Sequence, residues 1–181
     1  MSESMGLGGK TAALRQAFDQ SFAVPPAETS GEVEDLLRIR VAGDPYAIRL
    51  RDITGIVARR KVVPLPGATP DLIGSAGIRG GIVPVFTLEL LLGYPRTAEV
   101  PPWMVLCRSE DPIALGFPEF EGYARLLKSS IHLDDNLRTT QQHVKEVARI
   151  EAESRPVISI PLIVATIRNR TGPARQRSIG Q

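Results

Sequence analysis

The sequence predicts an all-β barrel or sandwich architecture with short helices, and three observations support this. Short apolar segments, several of them alternating with charged residues, recur between turns rich in glycine and proline, of which the chain has 16 and 15. No part of the chain shows the alternation of strands and long helices that a parallel α/β sheet needs. The 181 residues, 43% of them hydrophobic, are enough for one domain or for two small subdomains with a shared core.

The ends of the chain differ in composition from the middle, which divides it into three parts. Residues 1–34 form a predicted tail that ends in a linker rich in proline, glutamate and serine. Residues 35–167 form the predicted domain. Residues 168–181 contain four arginines and no acidic residue, and this composition predicts a basic, disordered tail.

The N-terminal tail contains one segment with helical periodicity. Leu14, Phe18 and Phe22 share one face at a spacing of four residues, so residues 10–23 are predicted to form a short amphipathic helix. This helix would pack on its own domain, or bind a partner or a second copy of the chain, and the remaining alternative is that the segment is disordered.

The domain begins with a predicted hairpin. Residues 37–41 and 46–50 alternate apolar with charged side chains around a turn at 42–45, so we expect one buried and one solvent-exposed face. Residues 53–57 are apolar but interrupted by glycine. Residues 62–66 are predicted to be extended, because two prolines restrict the residues that precede them.

A second hairpin is predicted next along the chain. Residues 71–78 and 82–86 are two extended segments joined by the tight turn Arg79-Gly80-Gly81. One or two helical turns should follow, with Thr87 as the N-cap and Gly93 at the C-terminal end.

The second half of the domain continues the β pattern. Residues 103–107 and 112–117 are predicted strands around a turn at 108–111, and the β-branched segment 156–164 is predicted to be a strand. Residues 139–153 fit a helix or a hairpin, and the β-rich surroundings favour the hairpin.

Charge and targeting signals limit where the protein works. The formal net charge is only +2, which indicates no strong field for nucleic acid or for an anionic membrane. A single cysteine, Cys107, cannot form an internal disulfide. No apolar run approaches the length of a membrane span, and the N-terminus lacks the pattern of a secretory signal. We therefore expect a cytoplasmic protein that is not inserted in a membrane.

The motifs that carry chemistry are incomplete. Gly9-Lys10-Thr11 resembles the end of a phosphate-binding loop, but the glycine five residues earlier is absent. Ser75 has Ile73 where a nucleophile elbow needs glycine. His132 and His143 do not have the spacing of metal ligands, so no metal or cofactor is expected.

Two further charged groups have simpler explanations than catalysis or nucleic-acid binding. Glu119 and Glu121 are spaced two residues apart, which favours an exposed strand edge over an acid–base pair. Residues 59–61 are the densest basic run, but no aromatic side chains alternate with it, so nucleic-acid binding is not expected. A chain without catalytic equipment is expected to work through its surfaces.

One long segment resembles a known family. Residues 37–93 read LRIRVAGDPYAIRLRDITGIV at their start and VVPLPGATPDLIGSAGIRGGIVPVFTLELLLG at their end. In the order of its parts this composite is similar to the first part of a CheW-like domain, the adaptor of bacterial chemotaxis. The resemblance continues more weakly over residues 103–131 and 147–167.

The resemblance implies a fold and a role. The fold is two small five-stranded β-barrels around a shared hydrophobic core, and the role is that of a scaffold without catalytic activity. Such adaptors couple the cytoplasmic tip of chemoreceptors to the regulatory domain of a CheA-type histidine kinase. The alternatives are a divergent CheW-like regulatory module of another chemosensory or motility pathway and, from a different class, a β-barrel that binds a small ligand.

The resemblance also implies a partner-binding site around the arginine turn. Arg79 is the main candidate, either because it organises the receptor groove or because it contacts a partner. The candidate residues are Arg79, Gly80, Ile56, Gly55, Ile78 and Val85. Four positions depart from the family pattern, and they are Gly55, Gly77, Thr87 and Pro118.

Overall fold

A computed structural model describes residues 31–134 and 142–171 of the chain. This part contains twelve strands, two single-turn 3-10 helices and two α-helices. The strands are β1 Val33–Val41, β2 Asp44–Arg49, β3 Ile53–Ala58, β4 Val62–Val63, β5 Leu72–Ile78, β6 Gly81–Thr87, β7 Trp103–Cys107, β8 Ala114–Phe117, β9 Glu119–Leu127, β10 Ile131–Leu133, β11 Val144–Ile150 and β12 Glu153–Ile158. The α-helices are α1 Leu88–Leu91 and α2 Ile160–Thr171, and the 3-10 helices are Leu50–Asp52 and Lys128–Ser130.

The strands form two six-stranded sheets, which confirms the predicted all-β class. The order is β10-β11-β12-β2-β1-β9 in the first sheet and β3-β7-β8-β6-β5-β4 in the second. Each sheet consists of five strands of at least four residues and one very short edge strand, β10 or β4. The predicted five strands per barrel therefore agree with the structure when the very short edge strands are left out.

Both sheets are curled, and the chain connections show why. The two edge strands of each sheet are consecutive in sequence and are separated by three residues, 128–130 in the first sheet and 59–61 in the second. Such a connection spans at most about 14 Å, whereas a flat six-stranded sheet would hold its edges about 24 Å apart. Each sheet must therefore bend until its edges meet along a seam.

The buried side chains form three clusters, which correspond to the two barrel interiors and a core between them. The largest cluster joins outward-facing residues of both sheets, such as Leu37 and Val105, with helix α2. A second cluster fills the second barrel, around Val85 and Met104. The third fills the first barrel, around Leu36 and Val157. This arrangement confirms the shared hydrophobic core.

The first hairpin is confirmed, but the expected solvent-exposed face was wrong. Strands β1 and β2 pair as predicted. The face that carries the charges lines the interior of the first barrel, where Leu36 packs with Ala47 and Ile150. The sequence pattern suggested exposure because apolar and charged residues alternate. Both faces are instead covered, one by the shared core and one by the curled sheet itself.

Ion pairs satisfy the charges inside the first barrel. At one end, Arg49 donates to Glu34 at 3.3 Å and to Glu146 at 2.7 Å. At the other end, Arg40 Nε donates to Glu121 at 2.7 Å, and Arg155 pairs with Glu121 as well. Glu121 lies on the edge strand β9, as predicted, but it is half-buried and paired.

The second hairpin and the short helix after it are confirmed. Strands β5 and β6 pair around the turn Arg79-Gly80. The side chain of Thr87 caps α1 by accepting a hydrogen bond from the backbone N–H of Glu89 at 3.3 Å. This role gives a structural reason for threonine at Thr87, because serine and threonine are favoured at helix N-caps.

The C-terminal part contains one wrong prediction and one correct one. The segment 156–164 is a strand only as far as Ile158, and α2 begins at Ile160. The apolar residues of α2 recur at helical spacing and are buried in the shared core, and this packing overrides their β propensity; they are Ile160, Ile163, Val164 and Ile167. The hairpin alternative for residues 144–153 is confirmed by the pairing of β11 with β12.

The described helix also bears on the predicted tails. Helix α2 extends to Thr171, so the first four residues of the predicted C-terminal tail are helical. The predicted N-terminal helix at residues 10–23 lies outside the described residues, as do residues 139–141 of the segment 139–153.

Replacing Gly74 by alanine is expected to destabilise the protein by about 2 to 4 kcal/mol. A Cβ atom at Gly74 would lie 2.2 Å from the backbone oxygen of Val63, so strand β4 would have to move. Urea unfolding measures the loss. The control is Gly77→Ala in the same strand, where a Cβ would have no neighbour within 4 Å, and a similar loss in both variants would contradict the steric explanation.

Glu121 is expected to link stability to acid pH. Burial alone would raise the pKa of Glu121, but hydrogen bonds from Arg155 and Arg40 more than offset this, and the pKa of Glu121 is lowered. A carboxylate with a lowered folded-state pKa stabilises the protein above its unfolded pKa of about 4.3, and this stabilisation is lost as the pH falls through the folded-state value.

The measurement is the free energy of unfolding as a function of pH for the wild type and for Glu121→Gln. The variant should be less stable by about 2 kcal/mol at neutral pH, because Arg155 and Arg40 each lose one of two carboxylate partners and keep only Glu153. It should also lose less stability than the wild type on acidification. Parallel pH curves would show that Glu121 does not carry the effect.

Candidate functional site

The turn between β5 and β6 is built from two residues with positive φ. Arg79 has φ 52° and Gly80 has φ 81°, which is the backbone geometry of a type I′ hairpin turn. Glycine adopts positive φ freely, so Gly80 suits its position. At the position of Arg79, such a turn usually has asparagine, aspartate or glycine. Both residues are exposed. A long charged side chain is therefore held on the surface at a position that disfavours it.

The side chain of Arg79 crosses the seam of the second barrel. Its Nη2 atom donates a hydrogen bond to the backbone oxygen of Thr54, at the start of β3, at 3.2 Å. A Cβ atom at Gly55 would lie only 2.7 Å from Nη2. The structure thus brings together two of the predicted site residues, Arg79 and Gly55, and the absence of a side chain at Gly55 leaves room for the guanidinium group.

A cavity of about 300 Å³ lies beside the arginine turn at this end of the second barrel. Ile78, which is buried, forms part of its wall, and the loop between β7 and β8 forms the opposite side. Ile82, also at the cavity, is 80% exposed. The site therefore combines an exposed cation with an apolar side chain that contacts solvent.

The remaining predicted site residues take different positions. Ile56 is half-buried in β3 and packs against the shared core. Val85 is completely buried inside the second barrel, so its predicted part in partner binding would be indirect. The alternating pattern of a strand does not distinguish the inward face of a curled sheet from its outward face. Val85 lies on the inward face and packs inside the barrel.

An aromatic cluster lies at the rim of the shared core, and the sequence reasoning missed it. Trp103 in β7 contacts Phe120 in β9, with ring centroids 5.1 Å apart, and Phe120 contacts Tyr123 at 5.5 Å. The cluster bridges the two sheets, and Tyr123 is 56% exposed. Three of the nine aromatic residues of the chain meet here. Because aromatic residues are scarce in this sequence, each of them could have been considered as a candidate. Only the arrangement of the two sheets shows that these three side chains lie close together.

The described residues contain neither a reactive thiol nor a cluster of metal-ligating side chains. Burial raises the pKa of the Cys107 thiol to about 12, so a thiolate nucleophile does not form at neutral pH. Within residues 31–134 and 142–171, no group of three or more histidine, cysteine, aspartate or glutamate side chains could hold a metal ion. The fold defines a class of all-β proteins in which two curled sheets share one apolar core, and its exposed features include the arginine turn and the aromatic cluster.

Comparison with known proteins identifies the family. The model of the CheW-like domain matches residues 35–168, which is well over half of the chain. The protein therefore belongs to the CheW-like domain family, whose members are non-catalytic scaffolds. A search of curated proteins gives no match.

A solved structure has the same fold. The crystal structure of the scaffolding protein TtCheW from Thermoanaerobacter tengcongensis superposes with a TM-score of 0.64. The match covers 70% of this chain and 89% of the other, at 15% sequence identity. Among the described residues, no helix combines the length and the apolar character that crossing a membrane requires.

The strain at the arginine turn predicts a stabilising substitution. Arg79→Asn should raise the free energy of unfolding by roughly 0.5 kcal/mol, because asparagine tolerates positive φ and the lost hydrogen bond to Thr54 is exposed. Urea unfolding measures the change. A loss of stability would show that the contact between Arg79 and Thr54 outweighs the backbone strain.

Proposed function

We propose that this protein is a cytoplasmic adaptor of chemotaxis-type signal transduction, which couples the cytoplasmic tip of a chemoreceptor to the regulatory domain of a CheA-type histidine kinase. The family assignment supports a scaffold role in general. The observation that carries the specific proposal is the position of strand β3 between two separate surfaces. Gly55 faces the arginine turn, and the next residue, Ile56, faces the shared core beside the aromatic cluster.

The kinase regulatory domain is assigned to the arginine turn. The exposed guanidinium of Arg79, the exposed Ile82 and the adjoining cavity form a compact surface of mixed character. Arginine next to an apolar residue is typical of the energetically dominant part of protein interfaces. Backbone strain such as that at Arg79 also concentrates at functional positions.

The receptor tip is assigned to the aromatic cluster. A helical hairpin docks by placing an apolar face against an apolar surface, and aromatic side chains supply large contact areas at low entropic cost. Trp103 and Phe120 are half-buried and therefore fixed, and Tyr123 extends into solvent. The two assignments leave the protein able to bind both partners at the same time.

Three of the four departures from the family pattern lie outside β3, at Thr87, Pro118 and Gly77. Thr87 caps α1. Pro118 lies between β8 and β9, where the chain passes from one sheet to the other and ladder pairing is interrupted. At Gly77 a side chain would meet no atom within 4 Å. At Gly55, which has no side chain to pair with, Arg79 binds the backbone of Thr54 instead.

The test is a pair of binding measurements on purified protein, with a chemoreceptor cytoplasmic fragment and the kinase regulatory domain from the same source. Arg79→Glu should weaken binding of the kinase domain about ten-fold or more and leave receptor binding unchanged, since a charge reversal on an exposed turn costs little stability. Tyr123→Ser should weaken receptor binding selectively. Lys145→Glu is the matched control, because Lys145 is exposed on β11 of the other sheet.

Each outcome has a defined meaning. Loss of both interactions in Arg79→Glu, with normal thermal unfolding, would place both partners on one surface and contradict the two-surface arrangement. Absence of wild-type binding to either partner, with the protein folded, would favour a regulatory module of another chemosensory or motility pathway.

A further inference from the structure

The basic loop, residues 59–61, is a charged feature that neither surface described above uses. It consists of Arg59, Arg60 and Lys61, connects β3 to β4, and is exposed at all three positions. Within residues 31–134 and 142–171, none of the three side chains makes an ion pair or a hydrogen bond. Most other arginines of the described part are bound to a carboxylate or to a backbone carbonyl, so this loop is a local excess of positive charge.

The loop is held in a defined place. The backbone N–H of Arg59 donates to the carbonyl oxygen of Pro102 at 2.7 Å, and Arg59 has φ 49°, a conformation that a non-glycine residue rarely adopts. It lies at the opposite end of β3 from Thr54, where Arg79 closes the seam. A restrained backbone limits the entropy that the loop loses when a partner binds.

The loop is continuous with the aromatic cluster. Ala58, the last residue of β3, pairs with Trp103, and Pro102 directly precedes Trp103 in the chain. Two exposed apolar side chains lie nearby in the chain. Val63, in β4 after the loop, is 53% exposed, and Val100, two residues before Pro102, is 49% exposed. The basic loop therefore directly adjoins the backbone that carries Trp103 of the aromatic cluster.

We propose that the basic loop and the aromatic cluster form one docking surface, and that its occupant is an acidic segment of the receptor partner. This inference rests on the proposed function and adds the chemistry of the partner. Three adjacent cations that have no counter-ion within residues 31–134 and 142–171 repel one another, and carboxylates from a bound segment would neutralise them. The apolar side chains of the same segment would contact the aromatic cluster, and the acidic ones would lie at the end that faces residues 59–61.

Acidic protein is favoured over nucleic acid and over an anionic membrane. The basic loop spans only three residues, and the formal net charge of the whole chain is +2. Binding to a phosphate backbone or to an anionic surface relies on an extended basic stripe or on larger clusters of cations. A short basic run at the end of an apolar surface instead fits a peptide with a few carboxylates.

The experiment measures the dissociation constant of the chemoreceptor cytoplasmic fragment as a function of salt. The protein is tested as wild type, as the double variant Arg60→Glu/Lys61→Glu, and as the matched double variant Lys145→Glu/Arg149→Glu on β11, which changes the net charge equally. At about 50 mM salt the loop variant should bind about ten-fold more weakly than wild type, and the difference should shrink towards about 500 mM salt as the charges are screened. The β11 variant should bind as wild type does.

Several results would overturn the proposal. Wild-type affinity and salt dependence in the loop variant would exclude an acidic segment, and if Tyr123→Ser still lost binding, the adaptor function would stand without this inference. Failure of the wild type to bind the fragment would count against the adaptor function itself. Equally tight, loop-dependent binding of single-stranded RNA or of vesicles rich in anionic lipid would show that the loop recognises a polyanion rather than a protein segment.

Discussion

The apolar core between the two barrels is the constraint on which the rest of the structure depends. It is formed by the outward faces of both sheets and by helix α2. Because those outward faces are covered, every strand that contributes to the shared core has a second face inside its own barrel. In the central strands, most side chains on both faces are therefore shielded from solvent. In the second barrel this is done with apolar side chains, whereas the first barrel places ion pairs at both ends of an apolar centre.

Closure of the second sheet places two exposed groups, residues 59–61 and Arg79, at the ends of its seam. The seam of the second barrel is bounded at one end by the connection 59–61 and at the other by the contact of Arg79 with Thr54. Prolines at positions 64 and 66 follow the short edge strand β4, and a proline cannot donate to a neighbouring strand. The edge is thereby protected from unspecific pairing. The side chains at the two ends of the seam remain available for specific contacts.

Local patterns were sufficient for much of this fold, and the failures have physical causes. Both hairpins of the first half were predictable because turn residues and period-two alternation act over a few positions. Helix α2 was mistaken for a strand because its β-branched residues outweighed a helical spacing that was present in the sequence. The pairing of Arg40 with Glu121 spans 81 residues, so no local pattern reports it. The aromatic cluster was missed for the same reason, whereas Arg79 and Gly55 were found through the resemblance to the family.

Both proposed surfaces border strand β3. Gly55 and Ile56 are adjacent and face opposite sides of the same strand, since successive side chains alternate across a sheet. The strand is short and pairs with a single neighbour, β7, in an irregular register between Ile53 and Gly55. Arg79 contacts Thr54 among the first residues of this strand, and Trp103 pairs with its last residue, Ala58. Strand β3 therefore borders both proposed surfaces and separates one from the other.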